Sequence, residues 1–218
     1  MTYLLDASAY IPLGFVASTL FLIIYEKRLR AKAEQVFWLH RIVFLLLGLY
    51  LTVVFSLTVS PVYGFSLANT GNSVNLTPLH ALHEMNINPM NFWGNILLFI
   101  PFGILSVLLS YRCRKFYVTL LMGIALSILI EVLQLFGTRG TDIDDVILNA
   151  AGTLCGYYLG KLLLWVAPSL HKKVGVKLMN DGECCGTGND AVSIAILAAI
   201  ILISVFVSGF IIKWLSCI

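Results

Sequence analysis

The sequence predicts an all-α fold, a polytopic transmembrane bundle of about six helices. Two observations predict this class. Hydrophobic residues make up 59% of the 218-residue chain and charged residues only 11%, whereas a soluble domain carries about 25% charged residues. Apolar runs close to the roughly 20 residues that a spanning helix needs recur along the chain. They are too continuous for the alternating strands of a membrane barrel.

The apolar runs and the polar segments between them divide the chain into regions. The six predicted spans cover about 9–25, 37–60, 91–110, 116–136, 146–166 and 191–215. They predict a first helix with a basic loop (1–36), a central membrane domain (37–167), a linker (168–190) and a C-terminal helix (191–218). The first run has no basic residue ahead of it, so we expect a retained span and not a cleaved signal peptide. The Gly-rich part of the linker is typical of a flexible connection.

Basic residues mark one side of the predicted membrane. They cluster in the segments after the first, third and fifth spans, at 26–32, 111–115 and 171–177. These three segments fall on one side if every span crosses, and the positive-inside rule makes that side the cytoplasm. Both termini and the loops 61–90 and 137–145 are therefore predicted to lie outside.

Polar residues interrupt the fourth span near its outer end. Glu131 lies six residues before Gly137, about 9 Å inside the span. A carboxylate at that depth should face the bundle interior and find a partner. Gln134 follows on the same face, and Arg139 in the following turn can reach back toward Glu131.

The start of the fifth span carries a second polar group. Asp142, Asp145 and Asn149 are spaced i, i+3 and i+7, which places them on one stripe of a helix. Asp144 points elsewhere and is expected to cap the helix start. The stripe continues in small residues that allow close helix packing, namely Gly152, Gly156 and Gly160.

Two further features face the same predicted rim. Asn95 lies about a turn into the third span and needs a hydrogen-bond partner there, and Pro101 favours a kink after it. His80 and His83 in the loop before it could bind a metal, although a histidine pair in a hydrated loop more often has no such role. The five cysteines show no disulfide framework, and the adjacent pair Cys184 and Cys185 is expected to be reduced.

Several motifs occur in an order that resembles the VanZ-like family of bacterial membrane proteins. They are Asn75-Leu-x-Pro78, Asn95-Ile-Leu-Leu-Phe-Ile-Pro-Phe-Gly103, Ser127-Ile-Leu-Ile-Glu131-x-x-Gln134, Arg139-x-x-Asp142-x-x-Asp145 and Asn149-x-x-Gly152. The resemblance covers roughly 42–166, and several motifs in order are more specific than one. It implies a multi-pass protein of the bacterial plasma membrane with a role in resistance to teicoplanin-type glycopeptides or other lipid-tailed antibiotics.

Three interpretations of the polar residues remain open. A binding site would use Asn95, Gln134, Arg139 and Asn149 to hold a ligand such as a lipid-linked cell-wall precursor or a lipoglycopeptide. An enzyme acting on an envelope lipid would use Glu131 as general acid or base. Its Asp142 and Asp145 would hold a metal or activate water.

In the third interpretation, these side chains only join helices by hydrogen bonds. Membrane lipids are expected contacts on any of the three interpretations, and nothing in the sequence indicates a nucleic-acid partner. The sequence identifies no cofactor.

Overall fold

Seven α-helices make up most of the part of the chain that the structure describes. The structure, a computed structural model, describes residues 10–30, 34–59, 74–75, 77–78, 89–136, 141–174, 176–178 and 190–216. The helices are α1 Ile11–Arg30, α2 Trp38–Thr58, α3 Pro89–Leu109, α4 Phe116–Gln134, α5 Ile143–Val166, α6 Pro168–Val174 and α7 Asp190–Ser216. A short 3-10 turn, Arg112–Arg114, joins α3 to α4.

Among the described residues, two short strand pairs connect segments between the helices. The strands are β1 Glu34–Val36, β2 Val74–Asn75, β3 Thr141–Asp142 and β4 Val176–Leu178. The strands β1 and β4 pair antiparallel, and β2 and β3 pair parallel. Helix α6 and strand β4 both lie within the segment 168–190 that was predicted to be a linker, so part of that segment has regular structure.

Five described helices are long and apolar enough to cross a membrane: α2, α3, α4, α5 and the part of α7 from Ala191 to Ile211. The predicted all-α membrane bundle is thereby confirmed. Helix α1 is not among the five, because every 18-residue stretch of it contains Glu26, Lys27 and Arg28. It continues through the first residues of the predicted basic loop, since Lys and Arg are good helix formers.

The start of α5 differs from the prediction. The helix begins at Ile143 and not near 146. Asp142 is its N-cap, with a side-chain oxygen that accepts a hydrogen bond from the Asp144 backbone N–H at 2.9 Å. The expectation that Asp144 caps the helix was therefore wrong. A cap side chain satisfies one of the first backbone donors of a helix, and Asp142 is the carboxylate placed to do so.

Among the described helices, the closest backbone contact joins α3 and α5 along the predicted glycine stripe. A Cβ atom at Gly152 would overlap the carbonyl group of Ile96, and one at Gly156 would overlap the carbonyl of Ile100. From the other side, a Cβ at Gly103 would overlap the Thr153 carbonyl. Only glycine lets the two backbones approach this closely. The predicted packing seam is confirmed, and α3 is its partner.

Helices α1, α2 and α7 pack against one another beside this seam. The α1–α2 contact includes a layer of stacked rings, in which Tyr25 lies 5.7 Å from Phe44 and 6.1 Å from His40 between ring centroids. The Arg41 guanidinium also donates two hydrogen bonds, of 2.6 and 3.0 Å, to the Glu26 carboxylate. A two-pronged contact of this kind fixes both side chains in orientation.

The segments rich in basic residues meet at one end of the bundle. Strand β1, after the first basic segment, pairs with β4, which belongs to the third. The His40 ring nitrogen Nδ1 lies 2.7 Å from the Val174 carbonyl oxygen. The turn within the second segment is held to α5 by a hydrogen bond of 2.9 Å from the Tyr157 hydroxyl to the Arg114 carbonyl. The side of the membrane that this basic end faces stays a prediction.

Candidate functional site

At the opposite end of the bundle, a polar pair bridges the two most closely packed helices. The Asn95 amide nitrogen Nδ2 donates a hydrogen bond of 2.5 Å to a carboxylate oxygen of Asp145. Asn95 lies in the second turn of α3 and Asp145 in the first turn of α5, and both are half-buried. A negative charge is favoured at a helix N-terminus, so the start of α5 suits Asp145. The pair gives Asn95 the partner that its depth in the span requires.

Glu131 holds the connection between α4 and α5 against the end of α4. Its side chain is 4% exposed, and its Oε2 atom accepts a hydrogen bond of 3.0 Å from the Asp142 backbone N–H. Its own backbone carbonyl accepts one of 3.0 Å from the Thr141 hydroxyl. The chain that returns from the turn is therefore attached to Glu131 at two successive residues. An intramembrane carboxylate needs such donors because desolvation is costly.

Asp142 connects this arrangement to the loop that precedes α3. Besides capping α5, its carboxylate accepts from the Asn75 amide at 3.3 and 3.4 Å. Asn75 is paired with Asp142 in the short β2–β3 ladder, and its side-chain oxygen accepts from the Thr77 backbone N–H at 3.1 Å. Asparagine commonly makes this local turn. Asn75 thus joins the site from a loop that is distant in sequence.

Gln134 and Asn149 contact different neighbours. The Gln134 amide donates to the Thr58 carbonyl at 3.3 Å, and Thr58 ends α2, where carbonyls have no partner within the helix. The Asn149 amide donates to the Ser127 hydroxyl of α4 at 2.8 Å. Asn149 lies one turn deeper than Asp145, and its Oδ1 atom is buried without a hydrogen-bond partner among the described residues. Gln134 therefore ties α4 to α2, and Asn149 ties α4 to α5.

The predicted site residues fall into distinct groups. The structure brings Asn95 to Asp145, and Glu131 to Asp142, at one end of the bundle. It turns Gln134 toward α2 and places Asn149 deeper. Arg139 lies outside the described residues, as do the pairs His80–His83 and Cys184–Cys185.

Three residues of the site could not be recognised from the sequence alone: Asn75, Ser127 and Thr141. Asn75 and Ser127 stand within the motifs, but each looked like an ordinary loop or helix residue. The Asn-x-Thr-Pro pattern was the available signal for Asn75, because it favours a local turn. No sequence signal pointed to Thr141.

The described atoms define the chemistry that this end of the bundle offers. Three carboxylates, Glu131, Asp142 and Asp145, accept hydrogen bonds from amide donors. Among the residues that the structure describes, no three His, Cys, Asp or Glu side chains converge as metal ligands would. The arrangement therefore presents carboxylate and amide groups at the end of an apolar bundle, where they can receive N–H or ammonium groups of a ligand.

The helices that carry this arrangement lie in a region that matches a known protein family. The family model described as VanZ/LLP1 matches residues 37–164, from just before α2 to near the end of α5. No curated protein and no solved structure matches the chain. The matched region contains all the site residues described above and leaves α1 and α7 outside. More than half of the chain is matched, and the protein is therefore a membrane protein of the VanZ/LLP1 family.

Proposed function

We propose that this protein lies in a bacterial plasma membrane and protects the cell against teicoplanin-type glycopeptides or other lipid-tailed antibiotics by binding a ligand at its polar end. The family membership supports the class of function. The observation that carries the proposal is the pair Asn95–Asp145, which holds polar groups of α3 and α5 together at the end of their closest contact. With the orientation predicted from the basic segments, this end faces the outer leaflet.

The site suits a ligand with a polar head and an apolar tail. The polar head would meet the carboxylate and amide groups at the rim, while the tail would remain among the lipids beside the apolar helices. The known contacts of Glu131 and Asp142 favour binding over chemistry, because each accepts a backbone hydrogen bond that positions the chain. We therefore infer that these two carboxylates shape the site and contribute negative charge to it, and that Asn95 and Asp145 contact the ligand.

Glu131→Gln separates this proposal from a purely structural role. Glutamine keeps a side-chain oxygen that can accept the Asp142 N–H but removes the negative charge. If the residue serves only in packing, the variant should keep its function. On our proposal the negative charge of Glu131 contributes to the electrostatic field at the binding site. We therefore expect the resistance of Glu131→Gln cells to fall to the level of cells without the protein.

Minimum inhibitory concentrations of teicoplanin, measured in bacteria that express each variant, provide the test. Glu26→Gln is a matched control, since it neutralises a partly buried carboxylate at the opposite end of the bundle. The control should retain resistance, and both variants should reach the membrane in wild-type amounts. Wild-type resistance from Glu131→Gln would contradict the proposal.

Binding and catalysis can be separated with purified protein. The protein is incubated with teicoplanin and with lipid-linked peptidoglycan precursors, and the mixtures are analysed by mass spectrometry. Binding that leaves both compounds unchanged supports the proposal. A covalent product that disappears in Asp145→Asn would show that the protein is an enzyme.

A further inference from the structure

A crevice at the basic end of the bundle is lined by positively charged side chains. It lies between the α3–α4 turn and the last turns of α5, and its volume is about 520 Å³. The residues that line it are three cations, two aromatic residues and one aliphatic residue: Arg114, Lys115, Lys161, Tyr111, Trp165 and Leu164. No acidic side chain is among these lining residues. The crevice is thus lined by cations, whereas the polar site at the other end of the bundle presents carboxylates.

The fold brings the cations together from two elements. The hydrogen bond from the Tyr157 hydroxyl to the Arg114 carbonyl holds the turn against α5. Lys161 and Trp165 follow Tyr157 at i+4 and i+8, so they continue along the same helix face. Along the helix axis, Lys161 lies about 6 Å beyond Tyr157, and Trp165 lies about 6 Å beyond Lys161. Arg114 from the turn and Lys161 from α5 therefore line one crevice, although they are far apart in sequence.

Arg114 is a half-buried cation beside an aromatic ring. Its guanidinium carbon lies 5.3 Å from the centroid of the Tyr111 ring, and the side chain is half-buried. Burial lowers the pKa of the Arg114 guanidinium below its usual value, and the Tyr111 hydroxyl has the opposite, smaller effect. Arginine remains charged nonetheless. A charge that is partly removed from water attracts an anion more strongly than an exposed one, and its planar fork matches phosphate oxygens.

The surroundings of the crevice match a lipid headgroup better than a soluble anion. Trp165 is 77% exposed and Tyr111 54%, and both stand where apolar spans end, which is where aromatic residues meet the bilayer interface. We propose that this crevice binds the phosphate of an anionic phospholipid, with Arg114 and Lys161 on the phosphate and Trp165 beside the upper acyl chains. The site is separate from the one proposed for resistance.

Thermal unfolding of the purified full-length protein in detergent tests the proposal. A ligand that binds only the folded state raises the unfolding midpoint. We expect phosphatidylglycerol to raise it and phosphatidylcholine to have little effect. Lys161→Gln and Arg114→Gln should each weaken the apparent affinity for phosphatidylglycerol about fivefold. Lys161 is exposed, so its variant carries the test even if Arg114→Gln does not fold.

Arg112→Gln is the matched control, because Arg112 is an exposed residue of the same turn that does not line the crevice. If phosphatidylglycerol raises the unfolding midpoint of Arg112→Gln as much as that of wild type, the result supports a defined site. If Arg112→Gln and Lys161→Gln lose the same affinity for phosphatidylglycerol, the lipid is attracted only by the overall positive charge of this end, and the proposal is overturned. So would equal effects of the two lipids, or the same midpoint shift with inorganic phosphate alone, which would indicate a soluble anion.

Discussion

Replacing Gly156 by alanine tests whether the α3–α5 seam depends on the absence of a side chain. The added Cβ would overlap the Ile100 carbonyl and approach the Cα of Gly103, and both belong to the backbone of α3. A backbone atom cannot rotate aside as the end of a flexible side chain can. The two helices must therefore separate locally, and they lose packing contacts on both sides of the substituted residue.

The size of the effect follows from two opposing contributions. Forcing one extra methyl group into a close-packed contact costs about 1–3 kcal/mol, whereas glycine to alanine within a helix gains about 0.8–1 kcal/mol. Gly94→Ala on α3 measures the second contribution alone, because nothing lies within 4 Å of a Cβ at Gly94. We expect the free energies of unfolding of the two variants to differ by about 1–3 kcal/mol, with Gly156→Ala the less stable.

Unfolding in mixed micelles, titrated with a denaturing detergent and followed by circular dichroism, gives these free energies. Resistance measured in the same variants adds a functional comparison, since Asn95 and Asp145 face each other across the two helices that would separate. If Gly156→Ala and Gly94→Ala change the stability equally, the close backbone contact does not exist as described.

Two further predictions concern a buried contact and the orientation of the chain. Ser127→Ala should lower the free energy of unfolding by about 0.6–1.7 kcal/mol, because the Asn149 amide loses its acceptor. Ser169→Ala on the exposed surface of α6 is the control. Equal stability of the two variants would show that the hydrogen bond from Asn149 to Ser127 does not stabilise the fold. A single cysteine introduced at Thr138 in an otherwise cysteine-free variant should react with a membrane-impermeant reagent added to intact cells, and labelling that requires disrupted cells would reverse the predicted orientation.

Residues whose chemistry conflicts with a membrane span could be predicted from the sequence to face the bundle interior and to have hydrogen-bond partners there. A carboxylate at 131 and an amide at 95 cannot remain without partners in a hydrocarbon environment, so a contact at the bundle interior was the expected outcome. Glycines repeated at a spacing of four similarly predicted a close helix contact. These inferences need only the helix period and the cost of burial, which the sequence contains.

Contacts that depend on three-dimensional placement could not be predicted from the sequence. Ser127 looks like one small residue among many in an apolar helix, and only the position of Asn149 gives it a role. The cap of α5 was assigned to Asp144 because three aspartates lie close together and local spacing alone does not select among them. The partner of Gln134, a backbone carbonyl at the end of α2, carries no side-chain signature at all.

The packing of α1 against α7 has a consequence for how the chain is made. About 160 residues separate the end of α1 from the start of α7, and the pairing of β1 with β4 is nearly as distant in sequence. At about 5–20 residues per second of synthesis, on the order of 10 s pass between the synthesis of α1 and that of α7. Helix α2 can cover only one side of it in the meantime. The matched family region can assemble first, and α7 then packs against the helices that are already in place.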